Sequence, residues 1–489
     1  MTGTDRQGTA GTVGPGYGLD VPPESLHMIV TGLGVSGFPA ASALLDRGGR
    51  VTVIDANDKP EYAERAHILR SKGADVHLAA GPELPAGDVL VVSTGIQMNS
   101  PWIAAARARG IPVWGEFELA WRLRGPDAAP WLYITGTNGK TTTTLMLEAM
   151  LQADGRRAAA VGNIGVSLID AVVHPEPYDV LAVEVGAPHL AFVYSPAPLA
   201  SVCLNVAPDH VDFFGSYEEY VRVKGTAYDR TTVACVFNAA DPATAELAEQ
   251  AAAGPDCARV AITLGVPAPG MLGMVEDVLV DRSFVADPVA EATELATLAD
   301  VRPPAPHQVE NALAAAALAR AYGVAPDAVR EGLRTFTPAL HRIAEVGTVA
   351  GVRYVDDSKA TNWHAALTSL RAYDSVVWIA GGQGKGQDFD ELVRQAAARM
   401  RAVVLLGLDR DLIRASLARH APELPVVEVA DADTGAMDEV VRRAAELAEP
   451  GDTVLLAPGC ASRDMYVDYA ERGDFFAAAV GRLGGSERP

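Results

Sequence analysis

Short apolar runs alternate with amphipathic stretches along most of this chain, and that alternation predicts strands followed by helices. The runs are four to seven residues long and rich in Val, Ile and Leu, as is typical of parallel strands buried on both faces. They cover residues 26–31, 51–55, 88–93, 111–114, 131–134, 180–185, 200–206, 233–237, 353–357, 376–382, 402–407, 426–429 and 453–457. This pattern predicts an α/β fold with mostly parallel sheets.

Breaks in composition divide the chain into three α/β blocks behind a short leader. The leader is rich in Gly and Thr and lacks the basic-then-apolar pattern of a secretion signal, so we predict that it is disordered. The predicted segments are the leader at 1–22, a Rossmann-like domain at 23–124, a central P-loop-type ATPase domain at 125–336 and a C-terminal doubly wound, Rossmann-like domain at 337–489. Inside the central block, alternating stretches at 271–298 predict an antiparallel flap, and the alanine-rich residues 307–322 predict a buried helix.

The central block opens with a glycine-rich turn between a predicted strand and a predicted helix. Residues 136–142 read Gly-Thr-Asn-Gly-Lys-Thr-Thr, and amides at a helix N-terminus beside a lysine and a hydroxyl make a cradle for nucleotide phosphates. Lys140 is predicted to hold the β- and γ-phosphates, and the Thr141 hydroxyl the accompanying Mg²⁺. Two residues separate Gly136 from Gly139 where the usual P-loop has four, so this is a shortened variant. The alternative is an ordinary strand-to-helix turn.

A second glycine-rich turn lies in the first block. Residues 32–37 read Gly-Leu-Gly-Val-Ser-Gly, and Asp55 ends the next strand, as in βαβ units that bind nucleotides or dinucleotides. Thr94 and Gly95 follow another strand of this block, at the carboxyl edge where such sheets bind their ligands. The alternative is a glycine turn that only permits close packing of the helix on the strand.

Composition argues against several classes of partner. The net charge of -22 argues against binding to a nucleic-acid backbone. The chain has no apolar run of about 18 residues, so no membrane span is predicted. The four cysteines have neither the spacing of a zinc site nor that of a disulfide framework. We therefore predict a cytoplasmic protein whose anionic small ligands are held by local groups.

Polar residues follow two strands of the central block. Glu184 ends a strand that we expect beside strand 131–134, which places its carboxylate near the Mg²⁺ at Thr141. His210 follows the next strand and reaches the same edge of the sheet. Lys224 falls in a predicted helix at 217–228, where a surface lysine is the alternative.

The last block has three polar strand exits, at 356–362, 381–386 and 457–462. Two of them carry a lysine, and together they predict a site for an anionic ligand. Either Asn362 or Thr361 is a plausible N-cap for the helix that follows the first exit.

These motifs occur along the chain in one order. They are the loop at 136–142, Gly-Asn-Ile-Gly at 162–165, Leu-Asn-Val-Ala-Pro-Asp-His at 204–210, Lys224, His-Arg at 341–342, Asp-Ser-Lys-Ala-Thr-Asn at 357–362 and Ala-Ser at 461–462. In this order they resemble the Mur ligase family of peptidoglycan synthesis, nearest to the member that adds D-glutamate to UDP-N-acetylmuramoyl-L-alanine. The resemblance covers nearly the whole chain after the leader and implies a first domain that binds UDP and not NAD.

The resemblance implies a role for each matching residue. For ATP these residues are Gly136, Thr137, Asn138, Gly139, Lys140, Thr141, Thr142, Asn311, Arg342 and Asp357. For the UDP substrate they are Val35, Ser36, Asp55, Thr94, Gly95, Asn163 and His210, and for the incoming amino acid Lys359, Thr361, Lys385, Ser462 and Tyr469. The implied metal ligands are Thr141, Glu184, His210 and a carbamylated Lys224, and the implied catalytic residues are Lys140, Glu184, His210 and Lys224.

The implied activity is that of an ATP-dependent, ADP-forming amide ligase that works through an acyl phosphate. Its implied cofactors are ATP, two Mg²⁺ ions and a carbamate on Lys224, whose two oxygens suit a hard cation. The implied substrates are UDP-N-acetylmuramoyl-L-alanine and glutamate, and the chain is expected to act as a monomer. Three alternatives stay open: a related ligase with another acceptor such as L-glutamate, a nucleotide-binding oxidoreductase, and a non-catalytic nucleotide-binding homologue.

A few positions depart from the family pattern. Family members usually read Ser-Ser-Phe-Gln-Leu shortly after the metal-binding glutamate, whereas residues 184–190 here read Glu-Val-Gly-Ala-Pro-His-Leu. Gly186 and Ala187 therefore lack two hydroxyls near the muramoyl group or the transferring phosphate, and His189 offers a different donor. Gln308 stands where Asn is frequent and Tyr469 where Phe is frequent.

Overall fold

The computed structural model describes residues 21–125, 127–209, 211–338, 340–430 and 433–485, without the side chains of residues 211, 212 and 485. Residues 1–20 of the predicted leader lie outside the described part of the chain, and so does His210. The strands predicted from apolar runs are all present, most within two residues of the expected ends.

The first block contains one parallel sheet covered by helices. Its strands are β1 (His27–Thr31), β2 (Arg50–Ile54), β3 (Asp75–His77), β4 (Val89–Val92) and β5 (Val113–Gly115). Its helices are α1 (Gly37–Asp46), α2 (Pro60–Ser71), α3 (Pro101–Ala108) and α4 (Glu116–Leu123), after a 3-10 turn at Pro23–Ser25. The five strands lie in the order β3-β2-β1-β4-β5. Strand order reverses between β1 and β4, and in such sheets ligands bind beyond the carboxyl ends of the strands at that point.

The central block contains a nine-stranded sheet. Its strands are β6 (Trp131–Thr135), β7 (Ala158–Gly162), β8 (Val180–Glu184), β9 (Ala200–Cys203), β10 (Ala234–Asn238), β11 (Ala258–Ile262), β12 (Met271–Val275), β13 (Val278–Asp281) and β14 (Thr293–Thr297). Its helices are α5 (Lys140–Ala153), α6 (Leu168–Val172), α7 (Ala187–Leu190), α8 (Val211–Phe214), α9 (Tyr217–Gly225), α10 (Pro242–Gln250), α11 (Pro306–Tyr322) and α12 (Pro326–Thr335), with 3-10 turns at Thr226–Tyr228 and Leu298–Asp300.

Strand order in the central sheet is β14-β13-β12-β11-β10-β9-β6-β8-β7. The antiparallel flap is confirmed, because β12, β13 and β14 pair antiparallel, and it extends the parallel sheet through β11. Strand β8 lies beside β6, as expected, with Glu184 opposite Ile134. The alanine-rich helix α11 is buried as predicted. Strand β7 was missed because its sequence is mostly alanine, which carries no strand signal.

The last block contains a six-stranded sheet. Its strands are β15 (Ala344–Val349), β16 (Val352–Asp356), β17 (Val376–Gly381), β18 (Met400–Leu406), β19 (Val426–Glu428) and β20 (Thr453–Leu456). Its helices are α13 (Trp363–Leu370), α14 (Asp390–Ala396), α15 (Arg410–His420), α16 (Ala436–Leu447) and α17 (Tyr469–Gly485), with a 3-10 turn at Ala397–Arg399. The order is β15-β16-β20-β17-β18-β19, parallel except for the edge strand β15. The exits of β16, β20 and β17 therefore lie side by side.

Apolar packing fixes the first and central blocks against each other. Trp114 and Phe117 from the end of the first block share one buried cluster with Trp131 and Tyr133 of β6. Burying such large side chains contributes roughly 1.5–3 kcal/mol each. The carboxyl edges of the first and central sheets are thereby held in a fixed relation. No helix in the described part of the chain is long and apolar enough to cross a membrane.

Candidate active site

The glycine-rich turn 136–139 carries the chain from β6 into α5, between the ends of β8 and β9. Gly139 caps α5 with a φ of +84°, a left-handed conformation that side chains resist. A Cβ at this position would overlap the Asn311 amide and would lie 3.2 Å from Leu204 Cδ1. Glycine is therefore required here both by conformation and by space.

Lys140 folds back over this turn. Its Nζ donates hydrogen bonds to the carbonyl oxygens of Gly136 at 2.8 Å and of Thr137 at 3.0 Å. Burial lowers the pKa of Lys140, and the nearby Glu184 carboxylate opposes that shift. The lysine thus places a cation at the entrance to the helix amides, where phosphate oxygens bind in P-loop proteins.

Thr141 and Glu184 form a buried oxygen pair beside the turn. The Thr141 hydroxyl donates to Glu184 Oε2 at 2.6 Å, and Asn163 Nδ2 donates to Glu184 Oε1 at 3.1 Å. Mg²⁺ is usually held by one or two carboxylates together with substrate phosphates, so these hard oxygens fit it. Within the described residues, no three His, Cys, Asp or Glu side chains gather as a metal site. His210 lies outside these residues.

Two residues that hold the turn in shape were not assigned a role from the sequence. Asn205 follows β9; its Oδ1 accepts from Asn138 N at 2.9 Å, and its Nδ2 donates to Asn138 O at 3.2 Å. The hydroxyls of Thr137 and Tyr220 share a hydrogen bond of 2.9 Å. The position of Asn205 at a strand end beside β6 was a usable signal, whereas nothing local marked Tyr220.

Arg342 links the last block to the central site. Its Nη2 donates to Thr141 Oγ1 at 2.5 Å, across 201 positions of sequence. Asn311, from α11, accepts a hydrogen bond from the Thr143 hydroxyl at 3.3 Å and so lies directly beneath the turn. Asp357 is buried and hydrogen-bonded by Ser369, and burial raises its pKa to about 7. Two of the three residues assigned to adenosine and ribose thus contact the turn or its helix.

Lys224 is buried, with an exposed fraction of 1%, so the surface-lysine alternative is wrong. It lies in α9, and its Nζ sits over the ring of Tyr220, 4.7 Å from the centroid. Burial is the main reason that its pKa falls to about 8. About one tenth of this amine is therefore uncharged at pH 7, far more than for an exposed lysine.

The glycine-rich turn of the first block is organised around Asp55. Asp55 Oδ2 accepts from Leu33 N at 2.9 Å, and its Oδ1 accepts from Asn57 N at 2.8 Å. The hydroxyls of Ser36 and Thr94 share a hydrogen bond of 3.1 Å across the gap between β1 and β4. Val35 and Gly95, also assigned to the UDP substrate, are exposed beside these residues. Asn163 is exposed after β7 of the central block, and His210 lies outside the described residues.

Glu116 lies behind this first turn and was also missed. It is buried at the start of α4, and its Oε1 accepts from the Ser167 hydroxyl at 3.4 Å. Burial raises its pKa, and hydrogen bonds from Ser36 and Ser167 oppose the rise. One carboxyl group therefore connects the first turn to the segment before α6 of the central block.

The last block brings two of the five residues assigned to the amino acid into contact. Lys359 Nζ lies 3.8 Å from the centroid of the Tyr469 ring. Burial lowers the pKa of Lys359 to about 8, and the nearby Arg342 guanidinium adds to the effect. Thr361 is half-buried, Ser462 is buried and Lys385 is exposed on its loop. Asn362, and not Thr361, caps α13, accepting from Ala365 N at 2.9 Å.

The departure at 186–187 has a local consequence. Gly186 precedes α7, and a Cβ there would lie 3.2 Å from His189 Nδ1. The His189 ring packs against Phe117, with ring centroids 4.8 Å apart. Because residue 186 has no side chain, the His189 ring can lie close to the backbone at that position.

Three family models match the chain. They are the Mur ligase MurD-like, N-terminal domain over residues 26–115, the Mur ligase middle domain over 134–319 and the Mur ligase, glutamate ligase domain over 341–460. Together they span the three sheets and the turns described above.

Curated relatives match over nearly the full length. The UDP-N-acetylmuramoylalanine--D-glutamate ligase of Streptomyces avermitilis is 56% identical over 459 residues, 94% of this chain and 98% of that protein. The ligase of the same name from Thermobifida fusca is 57% identical over 462 residues, 94% of this chain and 99% of that protein. The crystal structure of UDP-N-acetylmuramate-alanine ligase MurC from Thermotoga maritima shares the fold, with a TM-score of 0.57 at 18% identity over 94% of this chain and 100% of that one.

Proposed function

The chain belongs to the Mur ligase family, and we propose that it joins D-glutamate to the L-alanyl carboxyl group of UDP-N-acetylmuramoyl-L-alanine in peptidoglycan precursor synthesis. The observation that carries this proposal is the 56% identity over 94% of the chain to a ligase named for that reaction. The cluster of Lys140, Thr141 and Glu184 supports it, because amide ligation driven by ATP needs a cation and hard oxygens beside the γ-phosphate.

Ligation proceeds in two steps. A carboxylate oxygen of the L-alanyl group attacks the γ-phosphorus of ATP, and the bond to the bridging oxygen breaks, which gives an acyl phosphate and ADP. The uncharged amine of glutamate then attacks the acyl carbon, phosphate leaves and the nitrogen loses a proton. We propose that closure of the last block on the central block, which Arg342 already links to Thr141, keeps out the water that would otherwise hydrolyse the acyl phosphate.

The residues of the phosphate turn stabilise the first step. We propose that Lys140 stabilises the negative charge that builds up on the β- and γ-phosphate oxygens, since its ammonium group already lies over the turn. Mur ligases use ATP and Mg²⁺, and when bound the cation neutralises phosphate charge. We propose that Thr141 and Glu184 hold one ion and that His210 contributes to a second, shared with Lys224.

For Lys224 we propose a carbamate. The uncharged amine adds to CO₂ and releases a proton, which replaces a buried ammonium by two oxygens suited to Mg²⁺. Support comes from burial and from a pKa of about 8, which supply the reactive neutral amine. Protein equilibrated with ¹³C-bicarbonate should give one carbamate signal by ¹³C NMR that is absent from Lys224→Arg. The same spectrum from both proteins would exclude the carbamate.

The substrate subsites are assigned to the remaining predicted residues. We propose that Val35, Ser36 and Asp55 contact the uracil side of UDP and that Thr94, Gly95 and Asn163 meet the diphosphate. We assign Asn311, Arg342 and Asp357 to adenosine and ribose, and Lys359, Thr361, Lys385, Ser462 and Tyr469 to glutamate. We further propose that the chain works as a monomer in the cytoplasm, where ATP is available.

Phosphate release is the test of the proposed function. Folded protein is supplied with ATP, Mg²⁺ and UDP-N-acetylmuramoyl-L-alanine, with D-glutamate, L-glutamate or no amino acid. We expect release that depends on D-glutamate. Release with L-glutamate alone would keep the mechanism and change the acceptor, an alternative motivated by Gly186 and Ala187. No acceptor-dependent release would contradict the proposed activity.

A further inference from the structure

A buried arginine ties two strand exits of the last block together. Arg472 lies in α17 with an exposed fraction of 1%. Its Nε donates to Ser358 Oγ at 2.9 Å, its Nη2 to Ser358 O at 2.8 Å and its Nη1 to Cys460 O at 3.1 Å. Ser358 follows β16 and Cys460 follows β20, which are neighbouring strands. One guanidinium therefore fixes the distance between the loops that carry Lys359 and Ser462.

The arginine is costly for stability, which argues for a positional role. In the described part of the chain, no carboxylate reaches salt-bridge distance of this guanidinium. Burial of a charge without a direct ion pair is unfavourable, and burial lowers the pKa of Arg472 to about 10, a shift that the charges of Asp464 and Asp356 offset only in part. A planar fork of donors is the group that can serve two backbone carbonyls and a hydroxyl at fixed angles.

The next residue of the helix acts on a different part of the site. A Cβ on Gly473 would overlap the His341 imidazole and would lie 2.6 Å from Asp356 Oδ2. In the space left by this glycine, His341 Nδ1 and Asp356 Oδ2 form a pair at 2.7 Å. His341 precedes Arg342, which bonds to Thr141 in the phosphate turn. His341 itself has a φ of +61°, so this pair holds a backbone conformation that favours glycine.

We infer that Arg472 and Gly473 are positioning residues with separate duties on one turn of α17. Arg472 sets the amino-acid subsite by joining the exits of β16 and β20. Gly473 sets the nucleotide subsite by admitting the His341–Asp356 pair, which directs Arg342 to Thr141. This inference rests on the proposed function, since it assigns the two loops to the acceptor and Arg342 to ATP.

The test compares two adjacent substitutions with controls on the same helix. Arg472→Lys keeps the charge but loses the fork, so KM for the acceptor should rise about 10-fold, with KM for ATP changed less than about twofold. Gly473→Ala should do the reverse, raising KM for ATP about 10-fold with little change for the acceptor. Arg482→Lys, at an arginine that pairs with Asp438 on the surface, and Gly481→Ala, with open space around its Cβ, should match the parent in both constants.

The crossed pattern separates positioning from a loss of folding. A merely structural role would change both KM values together. Alternatively, it would lower only the fraction of folded protein, which thermal unfolding measures. If Arg472→Lys does not fold, Ser358→Ala removes one acceptor of the same fork and should raise KM for the acceptor alone by about 3-fold. Equal effects on both substrates, or none in folded variants, would overturn the inference.

The wild-type assay separates this inference from the proposed function. It identifies the acceptor first, and the KM comparison then uses that amino acid. An acceptor other than D-glutamate would revise the proposed function and leave the crossed pattern as the test of Arg472 and Gly473. Wild-type protein without any acceptor-dependent turnover would overturn both.

Discussion

The two glycine-rich turns share one local architecture and carry opposite charges. Each connects a buried parallel strand to a helix, β1 to α1 and β6 to α5. In the first turn, the carboxylate of Asp55 accepts the amide of Leu33 at 2.9 Å. In the second, Lys140 covers the turn carbonyls from within 3.0 Å. Similar glycine patterns thus hold an anion in one case and a cation in the other.

The opposite charges of the two turns indicate which of them can bind phosphate. In the first turn, the backbone N–H of Leu33 already donates to the Asp55 carboxylate. A phosphate placed there would be repelled by that negative charge. The second turn presents a lysine and a helix N-terminus, both of which attract phosphate. This contrast supports our assignment of the uracil side of UDP to the first turn and of ATP phosphates to the second.

Each turn also has a buried ionisable residue beside it, an acid at the first turn and a base at the second. Glu116 stands behind the first turn and Lys224 beside the second, and burial shifts each toward its uncharged form. The pKa of Glu116 is raised, and the pKa of Lys224 is lowered to about 8. Substitutions that remove each charge separately therefore test the two turns independently.

Removing the cation of the second turn should have the largest effect. Lys140→Ala leaves the phosphate charge of the first step without its partner, so kcat should fall by 10³-fold or more, within the roughly 10³–10⁵-fold range attributed to a key phosphate-stabilising cation. Phosphate release measures the loss. Lys72→Ala, at a lysine of the first block that pairs with Asp46, should behave like the parent. Substantial turnover by Lys140→Ala would show that the second turn is not the phosphate cradle.

Neutralising Glu184 should come next in size. Glu184→Gln keeps the shape and one oxygen acceptor but loses the charge, so kcat should fall about 100-fold and the half-saturating Mg²⁺ concentration should rise. A Mg²⁺ titration of phosphate release distinguishes this effect from misfolding. Glu176→Gln, at an exposed residue that pairs with Arg157, is the matched control. An unchanged Mg²⁺ requirement would remove Glu184 from the metal site.

Changing Asp55 tests the first turn by itself. In Asp55→Asn one amide N–H faces a backbone N–H, either of Leu33 or of Asn57, which distorts the turn. We expect KM for UDP-N-acetylmuramoyl-L-alanine to rise about 10-fold while KM for ATP stays constant, because losing one buried charged hydrogen bond costs about 1.5–3 kcal/mol. Asp75→Asn, at an exposed residue of β3, serves as control. A selective rise in KM for ATP would reverse the assignment of the turns.

Removing Lys224 tests the buried charge itself, with stability and not activity as the readout. The pKa of Lys224 is about 8 in the folded protein and 10.5 when exposed, so this group lowers the stability of the fold as pH falls from 10.5 to 8, and the full penalty is present below pH 8. In CO₂-depleted buffer, Lys224→Met should raise the free energy of unfolding at pH 7 by up to about 3 kcal/mol, with the gain vanishing by pH 10.5. Denaturant unfolding at both pH values measures this, with Lys59→Met as control. A gain that is equal at both pH values would show that packing, not charge, limits stability here.

Most of the fold and part of the site were predictable from the sequence. Buried parallel strands need continuous apolar runs, and these located the main strands of all three sheets. Strand β3, with a single buried residue, and the half-exposed edge strand β15 lacked such runs and were missed. The Thr141–Glu184 pair was expected because the ends of neighbouring parallel strands meet at one edge. Arg472 carried no local signal, since an arginine in a helix is usually exposed.

The order of most strands and helices, the two glycine turns and the family pattern of polar strand exits could be read from the sequence alone, because these depend on local periodicity and on residues close in the chain. Only the tertiary structure decided which charges are buried and which atoms meet across blocks. It placed Lys224 in the interior, brought Arg342 to Thr141 and set Arg472 beneath two loops. Burial and contact between distant segments depend on how the sheets pack, and hydrophobic periodicity within one segment does not encode that packing.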